Sequence, residues 1–369
     1  MIIIPLFLSL FFSLPILFIG NFCDKNISSI FLISGVFSIS DFLRSKILTG
    51  FPWNLWSYSF SWSLESLQIL SNIGLFSINL LIITIFFLPS IIFFKTKIKY
   101  FFLSFFLILI FSNYFYGSHK INSTSNNNYS EKVNFKIVSA GVDLSDFKDE
   151  KELVSKLIKY SEPNKERKTI FIWPEGVFLS KNFNHQKSIK DLFAKSFSKN
   201  HLIIFGANTV KKTSLGEKYF NSMIISDKNF NIISQYDKKK LVPFGEFLPF
   251  ENLLNSIGLK KITPGYASFS RGTGNSIINL KFNSKNINIL PLICYEIIFP
   301  NLVNNESEFN FIINISEDAW FGDSIGPHQH FAKVIFRSIE SETYTVRSAN
   351  KGVSAFISPE GKVLKTYGK

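Results

Sequence analysis

Cysteine is nearly missing. The 369 residues hold two, Cys23 and Cys294, too few for the disulfide scaffold of small secreted domains. Charge is scarce at one end: residues 1–117 carry nine acidic or basic side chains and the remaining 252 carry 58. The hydrophobic content of 46%, with 43 Phe, excludes a disordered chain, and the charged majority excludes a wholly membrane-embedded one. Neither G-x-x-x-x-G-K-[ST] nor G-x-G-x-x-G occurs between a strand and a helix, so nothing calls for a nucleotide or any other cofactor. His328 and His330 form an H-x-H pair without a third ligand at a recognised spacing, so no metal site is expected. No internal repeat at a fixed period is visible.

What the first third does contain is uncharged length. Met1 to Gly20 lacks any charge and is long enough to cross about 30 Å of hydrocarbon at about 1.5 Å per residue. The first charge is Asp24, with neither a basic start nor a small-residue cleavage site before it, so the run reads as a retained span and not a signal peptide. Ile27–Ser40 is shorter, crossing or re-entrant, and Ser66–Phe94 and Tyr100–Tyr116 complete a count of four. Residues 1–117 are therefore expected to form a transmembrane helical region. The basic loop Lys95, Lys97, Lys99 between the last two spans should stay cytoplasmic, which sends the rest of the chain to the outer face. The loop 41–65 then lies outside too. Its Trp53, Trp56, Tyr58 and Trp62 read either as an interfacial aromatic belt or as a platform for a lipid substrate. The outer domain's excess of 34 basic over 24 acidic groups would suit nucleic acid, but an outward-facing membrane protein meets anionic lipid instead.

Residues 118–130, rich in Asn and Ser, read as a polar linker. From 131 to 369 the pattern changes to short apolar strands separated by polar and helical stretches. Phe135–Ala140, Thr169–Trp173, Leu202–Gly206, Ser222–Ser226, Ile287–Ile293, Phe311–Ile315 and Val353–Ser358 are the expected strands. Glu150–Tyr160, Asn184–Ser198 and Gly326–Thr345 are the expected helices. Such alternation predicts an α/β layered domain.

Cys294 closes the apolar run 287–293 and so stands at the C-terminal end of a buried strand, where α/β domains place reactive groups. On position alone it reads as a nucleophile or as a buried structural thiol. A nucleophilic thiol needs a base and a group to hold the oxyanion it creates. Glu175, after the strand and turn Trp173-Pro174, presents a carboxylate at a sheet edge, or is a solvated turn acid. Lys238 belongs to a triple lysine, 238–240, that is otherwise a solvated basic patch.

Read together, these segments have the wording and order of the carbon–nitrogen hydrolase (nitrilase) superfamily, and within it the chain closely resembles the apolipoprotein N-acyltransferases. The resemblance rests on Thr-Gly-Phe-Pro-Trp (49–53), Trp-Pro-Glu (173–175), Tyr-x-Lys with Leu-Val-Pro-Phe-Gly-Glu (236–246) and Ile-Cys-Tyr-Glu with Phe-Pro (293–300). It continues through Asn-x-Ser-x-Asp-Ala-Trp-Phe-Gly (314–322), Gly-Pro-x-Gln-His (326–330) and Arg-Ser-Ala-Asn-x-Gly-x-Ser (347–354). It implies a four-layer αββα sandwich over 131–369, attached to an N-terminal transmembrane helix bundle. It implies catalytic Glu175, Lys238 and Cys294, supporting Glu246, Tyr295 and Glu296, and Trp320, with Tyr295, at the lipid entry. The implied activity moves an acyl chain from a phospholipid through a Cys thioester to the N-terminal diacylglyceryl-cysteine of a lipoprotein. The implied setting is the periplasmic side of a bacterial inner membrane, with the protein as a monomer. The family ordinarily has more helices before this point and a further helix after the catalytic domain, so the chain reads as a shortened member or an incomplete sequence. The rivals are a membrane-tethered amidase using the same three residues on a small substrate, and an inactive anchored binding module.

Overall fold

The computed structural model describes residues 3–24, 26–124, 133–139, 141, 149–180, 186–214, 216–250, 268–304 and 308–367. The chain forms two compact units, Met1–Asn128 with Ile335–Glu342, and Tyr129–Val334 with Thr343–Lys369.

The first unit is helical: α1 (Ile3–Ile19), α2 (Ile27–Arg44), α3 (Leu64–Leu67), α4 (Leu70–Phe87) and α5 (Lys99–Thr124). Four stretches, Pro5–Phe22, Ile27–Arg44, Leu70–Phe93 and Lys99–Ser123, are long and apolar enough to cross a membrane, as the sequence led us to expect. The second, doubtful from its length in the sequence, is a full eighteen-residue helix because Asp41 and Arg44 pair with each other (2.6 Å) instead of ending it. Asn79 of α4 donates to Asp41 (2.9 Å) and accepts the Ser57 N–H (3.0 Å), which fastens the aromatic loop to two helices. The third span is broken: Gly74 adopts φ 75°, ψ 170°, and the Leu75 N–H freed by the break donates to Glu340 Oε1 at 3.0 Å. Leu55, Leu67, Leu70, Leu75, Ile78, Phe336 and Ile339 form this unit's core. α5 runs on to Thr124, so residues 118–124, read as linker, are helical; 125–130 lie outside the described residues.

The second unit is an α/β sandwich of two sheets. One has the order β1 (Phe135–Ile137), β2 (Thr169–Ile172), β3 (His201–Thr213), β4 (Gly216–Ser226), β5 (Ile232–Asp237). The other contains β6 (Ile278–Phe282), β7 (Lys285–Ile293), β8 (Phe311–Glu317), β9 (Tyr344–Asn350), β10 (Ser354–Ile357) and β11 (Val363–Tyr367), side by side in that order. β1–β2–β3 and β7–β8–β9 pair in parallel and the outer strands antiparallel. Strand alternation decides the layers. Ile170 and Ile172 of β2 join Ile204, Met223, Ile289, Ile293, Ile313 and Val346 between the sheets, whereas Phe171 and Trp173 face outward. There they meet Leu153, Val154 and Leu157 of α6 (Glu150–Ser161) and Ile189 and Phe193 of α7 (Lys187–Ser196). A short α8 (Asn301–Asn304) follows the second sheet's β7, and α9 (Gly326–Ser341) sends His330 to Arg347 of β9.

The seven expected strands are present, with different ends. β3 and β4 are longer than read and form one long hairpin, while β1 and β10 are shorter; Ala140 lies outside the described residues. β5, β6, β9 and β11 were not read from the sequence. β9 takes residues expected as the end of a helix, because Glu342 turns left-handed (φ 51°) just after α9 stops at Ser341 and Tyr344–Asn350 pairs with β8. The helix expected from Asn184 starts at Lys187, its first two residues lying outside the described ones.

Candidate functional site

Parallel strands end on one edge, and that edge collects the chemistry. Glu175 follows β2. β5 is antiparallel to β4, itself antiparallel to β3, so β5 runs the same way as β2 and delivers Lys238 to the same edge. In the facing sheet Cys294 follows β7, and Asp318 follows its parallel neighbour β8.

Glu175 is buried and both its oxygens are held: Oε1 accepts from Asn221 (2.7 Å) and Lys238 Nζ (3.4 Å), and Oε2 accepts the Glu317 N–H (2.9 Å). Gly206 makes this placement possible, since a Cβ there would lie 2.6 Å from the Glu175 Cα. Lys238 is 1% exposed and also reaches Glu246 Oε1 at 2.9 Å. Glu246 is fixed in turn by Asn221 (2.7 Å) and by the Val242 N–H (2.8 Å). Two carboxylates thus face one ammonium. Burial alone would strip the proton from Lys238, but Glu175 and Glu246 outweigh it and push its pKa above the ordinary lysine value. The group stays a cation.

Cys294 opens the 3₁₀ turn Cys294–Ile298 with φ 49°. A non-glycine residue in this left-handed region costs about 1–2 kcal/mol. That strain lifts the thiol out of the strand line to a partly accessible position. Burial, then the Glu175 charge, pushes the thiol pKa well above its usual value, with Lys238 pulling the other way. A thiol whose pKa is pushed upward needs a base to react.

Glu296 braces the two halves. Its Oε1 accepts Tyr236 O–H (2.9 Å) and the Lys239 and Lys240 N–H groups (2.7 and 3.0 Å), and its Oε2 accepts the Ile293 N–H (2.8 Å). Burial pushes its pKa up, against those donors. One carboxylate therefore ties the β5 end carrying Lys238 to the β7 end carrying Cys294. Tyr295 is 7% exposed and packs edge-on against Phe299 at 5.1 Å. Trp320 is 65% exposed, on the 3₁₀ turn Asp318–Phe321. No hydrogen bond or ion pair among the described residues gathers its side chain to the cluster.

Asn221, Glu317 and Ser316 were not singled out in the sequence. Asn221 bridges Glu175 and Glu246 from the buried part of β4, and nothing in its local sequence marks it. Glu317, whose carboxylate takes both oxygens' bonds from Asn350, has its pKa raised by burial to about 8.

A family model described as Carbon-nitrogen hydrolase matches residues 147–369, and one described as Apolipoprotein N-acyltransferase N-terminal domain matches residues 1–88. An apolipoprotein N-acyltransferase of Rickettsia prowazekii (strain Madrid E) is 35% identical over 331 residues, covering 88% of this chain and 65% of that protein. Another, of Allorhizobium ampelinum, is 30% identical over 376 residues, covering 98% and 69%. The chain belongs to the apolipoprotein N-acyltransferase family. It spans about two thirds of the length of the curated relatives it matches. Among solved structures, a carbon–nitrogen hydrolase superfamily protein of Xanthomonas campestris aligns with TM-score 0.44 at 13% identity, over 64% of this chain and 86% of that one. Membership in the apolipoprotein N-acyltransferase family accounts for the pairing of an apolar helical unit with a nitrilase-like α/β unit in one chain.

Proposed function

We propose that this chain transfers an acyl chain from a membrane phospholipid to the α-amino group of the diacylglyceryl-cysteine that begins a bacterial lipoprotein. The observation that carries this reading is the buried Glu175–Lys238–Glu246 cluster beside a Cys294 held at φ 49° in a chain of this family. Glu175 takes the thiol proton as sulfur adds to the ester carbonyl, and Lys238 with backbone N–H groups holds the oxyanion. The carbon–oxygen bond then breaks, the leaving lysophospholipid takes the proton back, and a thioester remains on Cys294. The lipoprotein amine adds to that thioester and gives its proton to Glu175. Sulfur leaves, is reprotonated, and an amide results. Glu246 and Glu296 hold the reacting groups in place, and Tyr295 and Trp320 line the entry for lipid. Residues 131–369 are the catalytic domain and 1–117 the membrane domain, with the site on the outer face of the inner membrane and the protein working as a monomer.

Both substrates reside in the bilayer, so attachment to spans replaces a search through solution with a local encounter. The test is mass spectrometry of the purified chain after exposure to phospholipid vesicles. An acyl adduct on Cys294 that persists in water and is discharged by a diacylglyceryl-cysteine peptide is the expected result. Rapid loss of the adduct to water alone would make the chain a hydrolase, and a Cys294→Ala variant that still acylates the peptide would refute the mechanism.

A further inference from the structure

Besides Glu175 and Lys238, a second set of buried groups meets Cys294. His330 of α9 is fully buried, and its Nε2 lies 3.2 Å from the Cys294 carbonyl oxygen. A carbonyl only accepts, so Nε2 carries the proton whatever the charge of the ring. The other ring nitrogen, Nδ1, is 3.0 Å from Asp318 Oδ1 and 3.2 Å from Arg347 Nη2. Asp318 is itself immobilised: Arg347 Nη2 reaches both its oxygens (3.0 and 2.8 Å), and Ser316 Oγ donates to it at 2.7 Å. Arg347 is anchored by Val353 O at 3.1 Å and by Asn314 Oδ1. The Phe321 ring packs edge-on against His330 at 5.7 Å. The imidazole thus has its rotation fixed before it meets the nucleophile.

The bond matters because of where it lands. The Cys294 carbonyl and the Tyr295 N–H share one rigid plane and point in opposite directions. Fixing the oxygen fixes the N–H that follows the nucleophile, the usual place for an oxyanion donor in a strand-to-helix elbow. It also fixes the ψ of a residue already held at φ 49°, and so the line along which the thiol leaves the backbone. We propose that His330, clamped by Asp318 and Arg347, is a positioning residue that sets the Cys294–Tyr295 peptide plane and aims both the thiol and the Tyr295 N–H.

The proposal rests on Cys294 being the nucleophile, as in the function proposed above. Its test uses the full chain with two variants, His330→Met, which keeps bulk and loses the donor, and His330→Gln, which keeps a donor. Three quantities are read: thermal midpoint, Cys294 alkylation by iodoacetamide, and kcat and KM for thioester formation from phospholipid. His330→Met should alkylate about 10-fold more slowly and lose about 10–100-fold in kcat with KM unchanged. His330→Gln should recover most of both. A folded His330→Met chain with wild-type alkylation and kcat would overturn the proposal. So would losses that track the thermal midpoint and are not rescued by His330→Gln. If the wild-type chain makes no thioester, the functional reading fails alone, since alkylation still reports thiol placement without any acyl donor.

Discussion

Both units bury ionic groups, and two of these clusters are assembled differently. In the helical unit Asp41 and Arg44 sit one turn apart on the same helix, 2.6 Å from each other, with Asn79 and the Asn54 carbonyl (2.9 Å each) as further partners. Charge is balanced one to one, and the pair forms wherever α2 forms. In the α/β unit Lys238 meets Glu175 across 63 residues of sequence and Glu246 across 8, one cation against two anions. Nothing local makes that cluster. A fold that holds unbalanced charge together out of water, next to a strained thiol, is storing electrostatic work that chemistry can use. The balanced cluster only closes a structure.

The largest expected effect separates the two. Lys238→Met should lower kcat for thioester formation by about 10²–10³-fold, the cost of losing one oxyanion donor, and Glu175→Gln should do at least as much by removing the base. Single-turnover acylation of Cys294 from labelled phospholipid measures both. A Lys238→Met chain that acylates at the wild-type rate would erase the distinction. Next in size, Arg44→Met leaves Asp41 buried without its ion partner. It should cost about 3 kcal/mol of stability, read as a lowered thermal midpoint in detergent. Turnover per folded molecule should be unchanged, and a folded Arg44→Met chain that turns over slowly would put the helical cluster in the chemistry after all.

The contrast also explains what was legible in the sequence. The four spans follow from uncharged length, a one-dimensional property, and Glu175, Lys238 and Cys294 were marked by strand ends and by motif wording. The balance of the cluster was not, because Asn221 bridges two acids only once β4 and β5 are paired, and the Glu317 N–H reaches Glu175 across 142 residues. β5, β6 and β11 were missed for a related reason. Ile278–Phe282 alternates buried with exposed, Ile232–Asp237 has one fully buried residue and β11 is exposed along its length, so none shows the continuous apolar run that marked the central strands. The bracing role of Glu296 likewise depends on two strand ends meeting, which no spacing in the chain announces.

A pH series sharpens the comparison. Glu317, next to Glu175, has its pKa raised from 4.5 to about 8, chiefly by burial. Its folded value lies above its unfolded one, so its contribution to stability is complete below the unfolded pKa and is lost as the pH rises through about 8. The wild-type thermal midpoint should therefore fall between mildly acidic and alkaline pH. Glu317→Gln, which imitates the protonated acid, should flatten that fall. Parallel curves for the two proteins would show that Glu317 does not titrate in this window.

The smallest effect is the sharpest test of position. Lys238, Lys239 and Lys240 are indistinguishable by composition, yet only Lys238 points its ammonium into the anionic cluster. Lys239 gives the site its backbone N–H, bonded to Glu296 at 2.7 Å, while its side chain leaves for Ser276. Lys239→Ala keeps the backbone donor and removes only a partly buried side chain. It should change kcat by less than about 3-fold and stability by less than about 1 kcal/mol, the range of an ordinary surface substitution. The ratio of the Lys238→Met effect to the Lys239→Ala effect then measures how much of the site's electrostatics comes from one ammonium rather than from the basic patch. A ratio near one would mean that the patch, not the cluster, does the stabilising, and the division between the two kinds of buried charge would have to be redrawn.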